Sequence, residues 1–181
     1  MKRLSTENTG LIVVDIQGKL ACLVHNSDYL IACCQKLIQG AQTLGLPILW
    51  LEQNPEGLGR TVDELLPFLN RQEAIIKFTF DACKEPLFMQ AIEATKRPTW
   101  LVCGIEAHIC VYQTAFHLKK YGYDIHLVRD CISSRKPENI ELATNKLAHH
   151  GVSITGLEMC LYELVQDCRV PEFKEILKLI R

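Results

Sequence analysis

The sequence lacks an excess of either charge. Its 181 residues carry 20 Lys and Arg against 21 Asp and Glu, a formal net charge of −1. That balance speaks against a nucleic-acid partner, and no Lys/Arg run marks a lipid-surface segment. No apolar stretch approaches the roughly 18 residues of a membrane helix. No apolar core of a signal peptide follows Met1, because Ser5, Thr6, Glu7 and Asn8 come at once. The expectation is a cytoplasmic chain. Nine cysteines are present but no C-x-x-C spacing, which argues against a zinc ribbon and a thioredoxin-type motif. Most are expected to be reduced, small, buried hydrophobes. There is no internal repeat, linker or low-complexity segment, so one domain spanning residues 1–181 is expected. Near-neutral charge does little to keep subunits apart, which permits self-association.

What is present is an alternation of short apolar runs with longer amphipathic stretches. Strands are expected at 10–15, 46–51, 74–77, 99–103, 124–128 and 152–155. Helices are expected at 27–44, 86–95, 108–121, 137–150, 156–165 and 171–180, with a loop over 52–59. Ser27 and Asp28 cap the first helix, Pro86 and Pro137 open two others, and Gly45, Gly122 and Gly151 close three. Six strands alternating with helices predict a three-layer α/β/α fold on a six-stranded, mainly parallel sheet. Runs such as Leu11-Ile12-Val13-Val14 are uninterrupted, as strands covered on both faces require.

In such folds ligands bind beyond the carboxyl ends of the strands, where strand order reverses. Three chemically capable residues fall there. Asp15 ends the first strand, Lys77 ends the third, and Cys110 lies just past the fourth in a first helical turn. A helix N-terminus and a nearby ammonium both stabilise a thiolate, and a carboxylate can accept its proton. Singly, each has a plainer reading: Asp15 as a cap, Lys77 as a solvated charge, Cys110 as packing. Their conjunction at three strand ends favours nucleophilic catalysis.

The Leu11-Ile-Val-Val-Asp15-Ile-Gln17 strand, Lys77-Phe-Thr-Phe80 and Gly104-Ile-Glu-Ala-His-Ile-Cys110-Val111 resemble the three signature segments of isochorismatase-like cysteine hydrolases. Their order and spacing match over about residues 8–165. The resemblance implies strand order 3-2-1-4-5-6 and a catalytic triad of Asp15, Lys77 and Cys110. It also implies a cis peptide between Ile105 and Glu106, and an oxyanion hole made by the backbone N–H groups of Glu106 and Cys110. It further implies a homo-oligomer, dimeric or higher, acting on a small molecule. Family members that cleave the vinyl ether of isochorismate lack the cysteine, whereas amidases resembling nicotinamidase keep it, so amide or related acyl hydrolysis is the better reading. Nicotinamidases also carry a metal site after strand two. Here no His occurs between His25 and His108, so no metal or other cofactor is expected.

Other residues carry two readings each. Gln17 lines the pocket or holds a loop. Glu52 and Gln53 touch substrate or sit on a solvated loop. Phe78 and Phe80 form a pocket wall or pack in the core. His108 reads as a capping or interface residue, and His149-His150 as cations closing a helix. Three functional alternatives stand beside the amidohydrolase: a non-catalytic oligomeric binding or scaffold protein, a vinyl-ether hydrolase, and a redox-responsive thiol protein.

Overall fold

The computed structural model describes residues 3–69 and 73–181. Six strands, β1 (Thr9–Val14), β2 (Ile48–Gln53), β3 (Ile75–Lys77), β4 (Thr99–Gly104), β5 (Asp124–Ile132) and β6 (Ser153–Thr155), form one sheet. Its order is β3-β2-β1-β4-β5-β6. All five neighbouring pairs are parallel, so the expected mainly parallel sheet is parallel in every pair. The strand order is the one that the resemblance implies.

Alternation along β1 explains why its apolar run is unbroken. Leu11 and Val13 enter one apolar core and Ile12 and Val14 the other. Each fully buried side chain of this kind contributes about 1.5–3 kcal/mol. The first core lies beneath helices α1 (Gly18–Leu23), α2 (Ser27–Thr43), α4 (Leu66–Leu69), α8 (Leu157–Val165) and α9 (Glu172–Ile180). The second lies beneath α5 (Pro86–Thr95), α6 (Tyr112–Lys120) and α7 (Pro137–His149). One further helical turn, α3 (Pro55–Leu58), follows β2.

Several boundaries differ from expectation. β2 begins at Ile48, because Pro47 has no N–H to donate to a ladder, and it runs on through Gln53. Glu52 and Gln53 are therefore strand residues, and the expected loop contains α3. Helices α1 and α4 were not expected; with six and four residues, they are too short to show a periodicity. β5 continues to Ile132, past Val128, by a register shift that sets Gly104 opposite Ile132. The helix expected from residue 108 begins as a π-helical turn over Ala107–Val111.

The register brings the chemistry to one edge. Val14 lies opposite Leu51 on one side and Gly104 on the other, and Gln53 lies opposite Lys77. At Gly104 the chain turns away from β4 with φ 122°, and a Cβ there would stand 2.0 Å from the Val14 carbonyl oxygen. Gly104→Ala is expected to cost about 3 kcal/mol or more, combining backbone strain with a backbone clash. Gly45→Ala, with φ 68° and open space around its Cβ, is expected to cost about 1–2 kcal/mol. Urea denaturation of the two variants checks the contrast.

Candidate active site

Asp15 leaves β1 in the left-handed region, φ 51°, a conformation costing a non-glycine residue about 1–2 kcal/mol. Its N–H still donates to Leu51 O at 3.2 Å, and the turn aims its carboxylate along the sheet edge. Lys77, fully buried at the end of β3, points back toward it across β2. The Lys77 Nζ donates to Asp15 Oδ2 at 2.7 Å, to Gln53 Oε1 at 2.8 Å and to the Thr79 carbonyl at 3.3 Å. All three ammonium protons are thus engaged. Cys110 is 7 % exposed and sits in the π-helical turn, a local geometry frequent at functional sites. Its thiol interacts with both Asp15 and Lys77. The structure thus brings together the three residues singled out from strand ends.

The electrostatics differ from the sequence reading in one respect. A thiolate stabilised by helix and ammonium was expected. Burial instead pushes the Cys110 thiol up to about 12, the Asp15 charge pushes the same way, and Lys77 only partly offsets them. Burial also raises the Asp15 carboxyl above its ordinary value, against the pull of Lys77. The resting site therefore holds a neutral thiol beside the Asp15 carboxyl group that is paired with Lys77. Asp15 Oδ1 is buried and accepts no hydrogen bond among the described residues. An oxygen in that state is an available proton acceptor.

Asp15, Gln53, Glu106 and Cys110 border a cavity of about 80 Å³. Its walls are Leu20, Leu58, Phe80, Ile105 and Ile109. The peptide between Ile105 and Glu106 is cis. At roughly 10–15 Å³ per water-sized probe the cavity holds a handful of small groups.

The remaining candidates separate cleanly. Gln17 is a loop holder: its Nε2 donates to the carbonyls of Gln53 (3.1 Å) and Gly59 (2.7 Å), and its Oε1 accepts from the Gln53 N–H. It does not line the cavity. Gln53 does, while its side chain bridges Lys77 Nζ and the Phe78 carbonyl. Glu52 faces elsewhere and accepts from the N–H and hydroxyl of Thr61. Core packing does not describe Phe78 and Phe80, which are 71 % and 56 % exposed. Of the two, only Phe80 walls the cavity. His108 bonds Ser134 Oγ and Asn139 Nδ2. His149 bonds its own helix at the Asn145 carbonyl. Among the described residues no group of three or more His, Cys, Asp or Glu side chains is arranged to hold a metal ion.

Sequence reasoning missed Leu20 and Leu58, carried by the short helices α1 and α3. It also missed Arg135, whose side chain binds the Glu106 carboxylate at 3.0 and 3.3 Å. No motif marks these three.

The family described as Isochorismatase domain matches residues 9–159. A Danio rerio protein, isochorismatase domain-containing protein 2, is 33 % identical, over 98 % of this chain and 89 % of its own. A solved structure described as the MAR1 ribonuclease from Caenorhabditis elegans superposes with a TM-score of 0.91 at 32 % identity, covering 99 % of this chain and 92 % of its own. The Escherichia coli YcaC gene product, described as an octameric hydrolase of unknown specificity, superposes at 0.89 with 20 % identity, covering 98 % and 96 %.

The buried pair generates a stability prediction. Lys77→Met leaves a desolvated carboxylate without its counter-charge, a change expected to cost about 3–5 kcal/mol near neutral pH. The sign with pH follows from Asp15. Its folded pKa is raised, so the folded state binds its proton more tightly, and this contribution falls as pH rises from the unfolded value through the folded one. Without Lys77 the folded pKa rises further. The deficit of Lys77→Met should therefore shrink as pH is lowered toward the ordinary carboxylate range. Denaturation midpoints across acid to neutral pH measure it.

Proposed function

The chain belongs to the isochorismatase family of hydrolases, and from that premise we propose that it hydrolyses a small, uncharged amide or related acyl compound through a thioester on Cys110. The observation that supports this reading most is the convergence of Asp15, Lys77 and Cys110 around one cavity, with Lys77 Nζ 2.7 Å from Asp15 Oδ2.

The thiol's raised pKa decides how the nucleophile forms. With a pKa of about 12, preforming the thiolate at neutral pH costs roughly 7 kcal/mol at about 1.4 kcal/mol per unit. Attack is therefore coupled to proton transfer: Asp15 takes the thiol proton on its free Oδ1 as sulfur bonds to the carbonyl carbon. The carbonyl electrons move to oxygen, and the backbone N–H groups of Glu106 and Cys110 donate to that oxyanion. The electron pair returns, the C–N bond breaks, and Asp15 gives its proton to the departing nitrogen. Water then attacks the thioester with Asp15 again as base. The acid leaves, and the sulfur recovers its proton from Asp15. Lys77 keeps the Asp15 carboxylate oriented and ionised between these transfers. Gln53, sharing the ammonium, is part of the same support.

The lining determines which acyl group fits. Five walls are apolar. Lys77 spends its three donors inside the site, and Arg135 is committed to Glu106. Among the described residues no unpaired cation borders the cavity. A substrate bearing carboxylates, such as isochorismate itself, would be desolvated without compensation, which counts against a vinyl-ether reading. The name ribonuclease belongs to the Caenorhabditis elegans protein. A polynucleotide would require basic surface that a net charge of −1 does not favour.

Self-association and place in the cell complete the reading. Exposed Phe78, and Phe80 at the cavity wall, suit burial in a homo-oligomer, as the octameric Escherichia coli relative in fold is described. The nine cysteines are unpaired thiols, which suits the reducing cytoplasm. No described helix is long and apolar enough to cross a membrane.

A panel of short amides and carbamoyl compounds, with and without a carboxylate substituent, tests the proposal. Turnover should favour the uncharged members by about 10-fold or more in kcat/KM. Cys110→Ala and Asp15→Asn should each lower kcat by about 10³-fold or more. The acid limb of kcat/KM should lie above the ordinary carboxylate range, following Asp15. Equal turnover by Cys110→Ala contradicts the proposal.

A further inference from the structure

Three consecutive residues after β5 grip the three residues from Glu106 to His108, two positions ahead of Cys110. The Ala107 N–H donates to the Ser133 carbonyl at 2.8 Å. The His108 ring bonds Ser134 Oγ at 2.9 Å. The Glu106 carboxylate accepts from the Arg135 N–H at 3.1 Å, from its Nε at 3.0 Å and from its Nη2 at 3.3 Å. The contact arises because β5 runs on to Ile132 beside Gly104, delivering Ser133 with its N–H on the Gly104 carbonyl at 3.3 Å.

The burial of the two partners is unequal. The Glu106 side chain is 5 % exposed and Arg135 is 58 % exposed. A carboxylate held that deep needs a counter-charge. Burial by itself pushes the Glu106 carboxyl up; the hydrogen bonds and charge of Arg135 reverse the direction and hold it below its ordinary value. Three hydrogen bonds to one carboxylate fix the side chain in direction as well as charge. Fixing it fixes the backbone of the same residue, whose N–H the proposed mechanism uses.

We propose that Arg135 is a positioning residue for acyl transfer: by clamping the Glu106 carboxylate it holds the Glu106 N–H on the oxyanion. This inference rests on the hydrolase reading above. It concerns the carbonyl oxygen and not the sulfur. Among the described residues Arg135 bonds the Glu106 carboxylate and neither Cys110 nor Asp15, so its loss should leave thiol reactivity alone. That separates it from a merely structural ion pair, whose loss would disturb all reactions of the site together.

The test uses two reagents on the full chain. p-Nitrophenyl acetate reports acylation, which passes through an oxyanion. Iodoacetamide reports alkylation of Cys110, a displacement at saturated carbon that forms none. Arg135→Ala should lower kcat for nitrophenolate release by about 10- to 100-fold, with KM within about 3-fold. Its Cys110 alkylation rate, read by peptide mass mapping, should stay within about 2-fold of the wild type. Arg135→Lys, which keeps the charge but not the fork, should recover part of kcat. Thermal melts of the variants report folding, and the lysine variant carries the test if the alanine variant unfolds. Unchanged acylation in both variants overturns the inference, and so does a parallel fall of acylation and alkylation. Wild-type protein that releases no nitrophenolate above Cys110→Ala contradicts the hydrolase reading itself, which is a distinguishable result.

Discussion

A buried ion pair between Asp15 and Lys77 is the constraint on which the site depends. Taking either charge out of water costs several kcal/mol, and only close pairing with further hydrogen bonds compensates. The fold meets that demand from three strands. β1 carries the carboxylate and β3 the ammonium, while β2 lies between them and contributes Gln53, whose amide accepts the second ammonium proton. The Thr79 carbonyl takes the third. Gln17 then ties the end of β2 to the turn after β1. Registers across three strands must hold to within a residue for these bonds to exist, since a slip of one would turn every side chain to the other face.

The same burial shapes the chemistry. It keeps the Cys110 thiol neutral at rest and leaves one Asp15 oxygen buried and unpartnered. A free thiolate would be a reactive liability in a cell; a thiol that ionises only as it attacks is not. Apolar walls strengthen the local electrostatics by excluding water. Pairing is pervasive in the site: Asp15 with Lys77, Glu106 with Arg135, Glu52 with Thr61. Between these pairs lie the Asp15 Oδ1 and the Cys110 thiol that faces Asp15 and Lys77.

Much of this was legible in the sequence, for a physical reason. Strands buried on both faces read as unbroken apolar runs, so a polar residue ending such a run is conspicuous; Asp15 and Lys77 have that signature, and Cys110 follows the fourth run in the first turn of a helix. The sheet order followed from resemblance to a family and is the order observed. Other features had no local signal. Gln53 reads as loop because the run from Glu52 to Gly59 is polar and rich in Pro and Gly, yet β2 continues through it. Helix α1, which supplies Leu20, is too short to show a period. Phe80 is apolar and exposed, against the usual inside rule. Arg135 meets Glu106 across 29 residues of chain, through a strand extension that hydrophobic patterning does not mark. The thiolate expectation failed because helix and ammonium effects were weighed without the opposing desolvation, which only burial reveals.

The central claim is that the Cys110 sulfur receives the acyl group with Asp15 as its base. Rapid quenching of the protein with p-nitrophenyl acetate, followed by peptide mass mapping, tests it most directly. The account predicts a transient acetyl group on Cys110 that precedes modification of the other eight cysteines and is lost in Asp15→Asn. Acetylation spread evenly over the exposed Cys22 and Cys168, with Cys110 untouched, would contradict it.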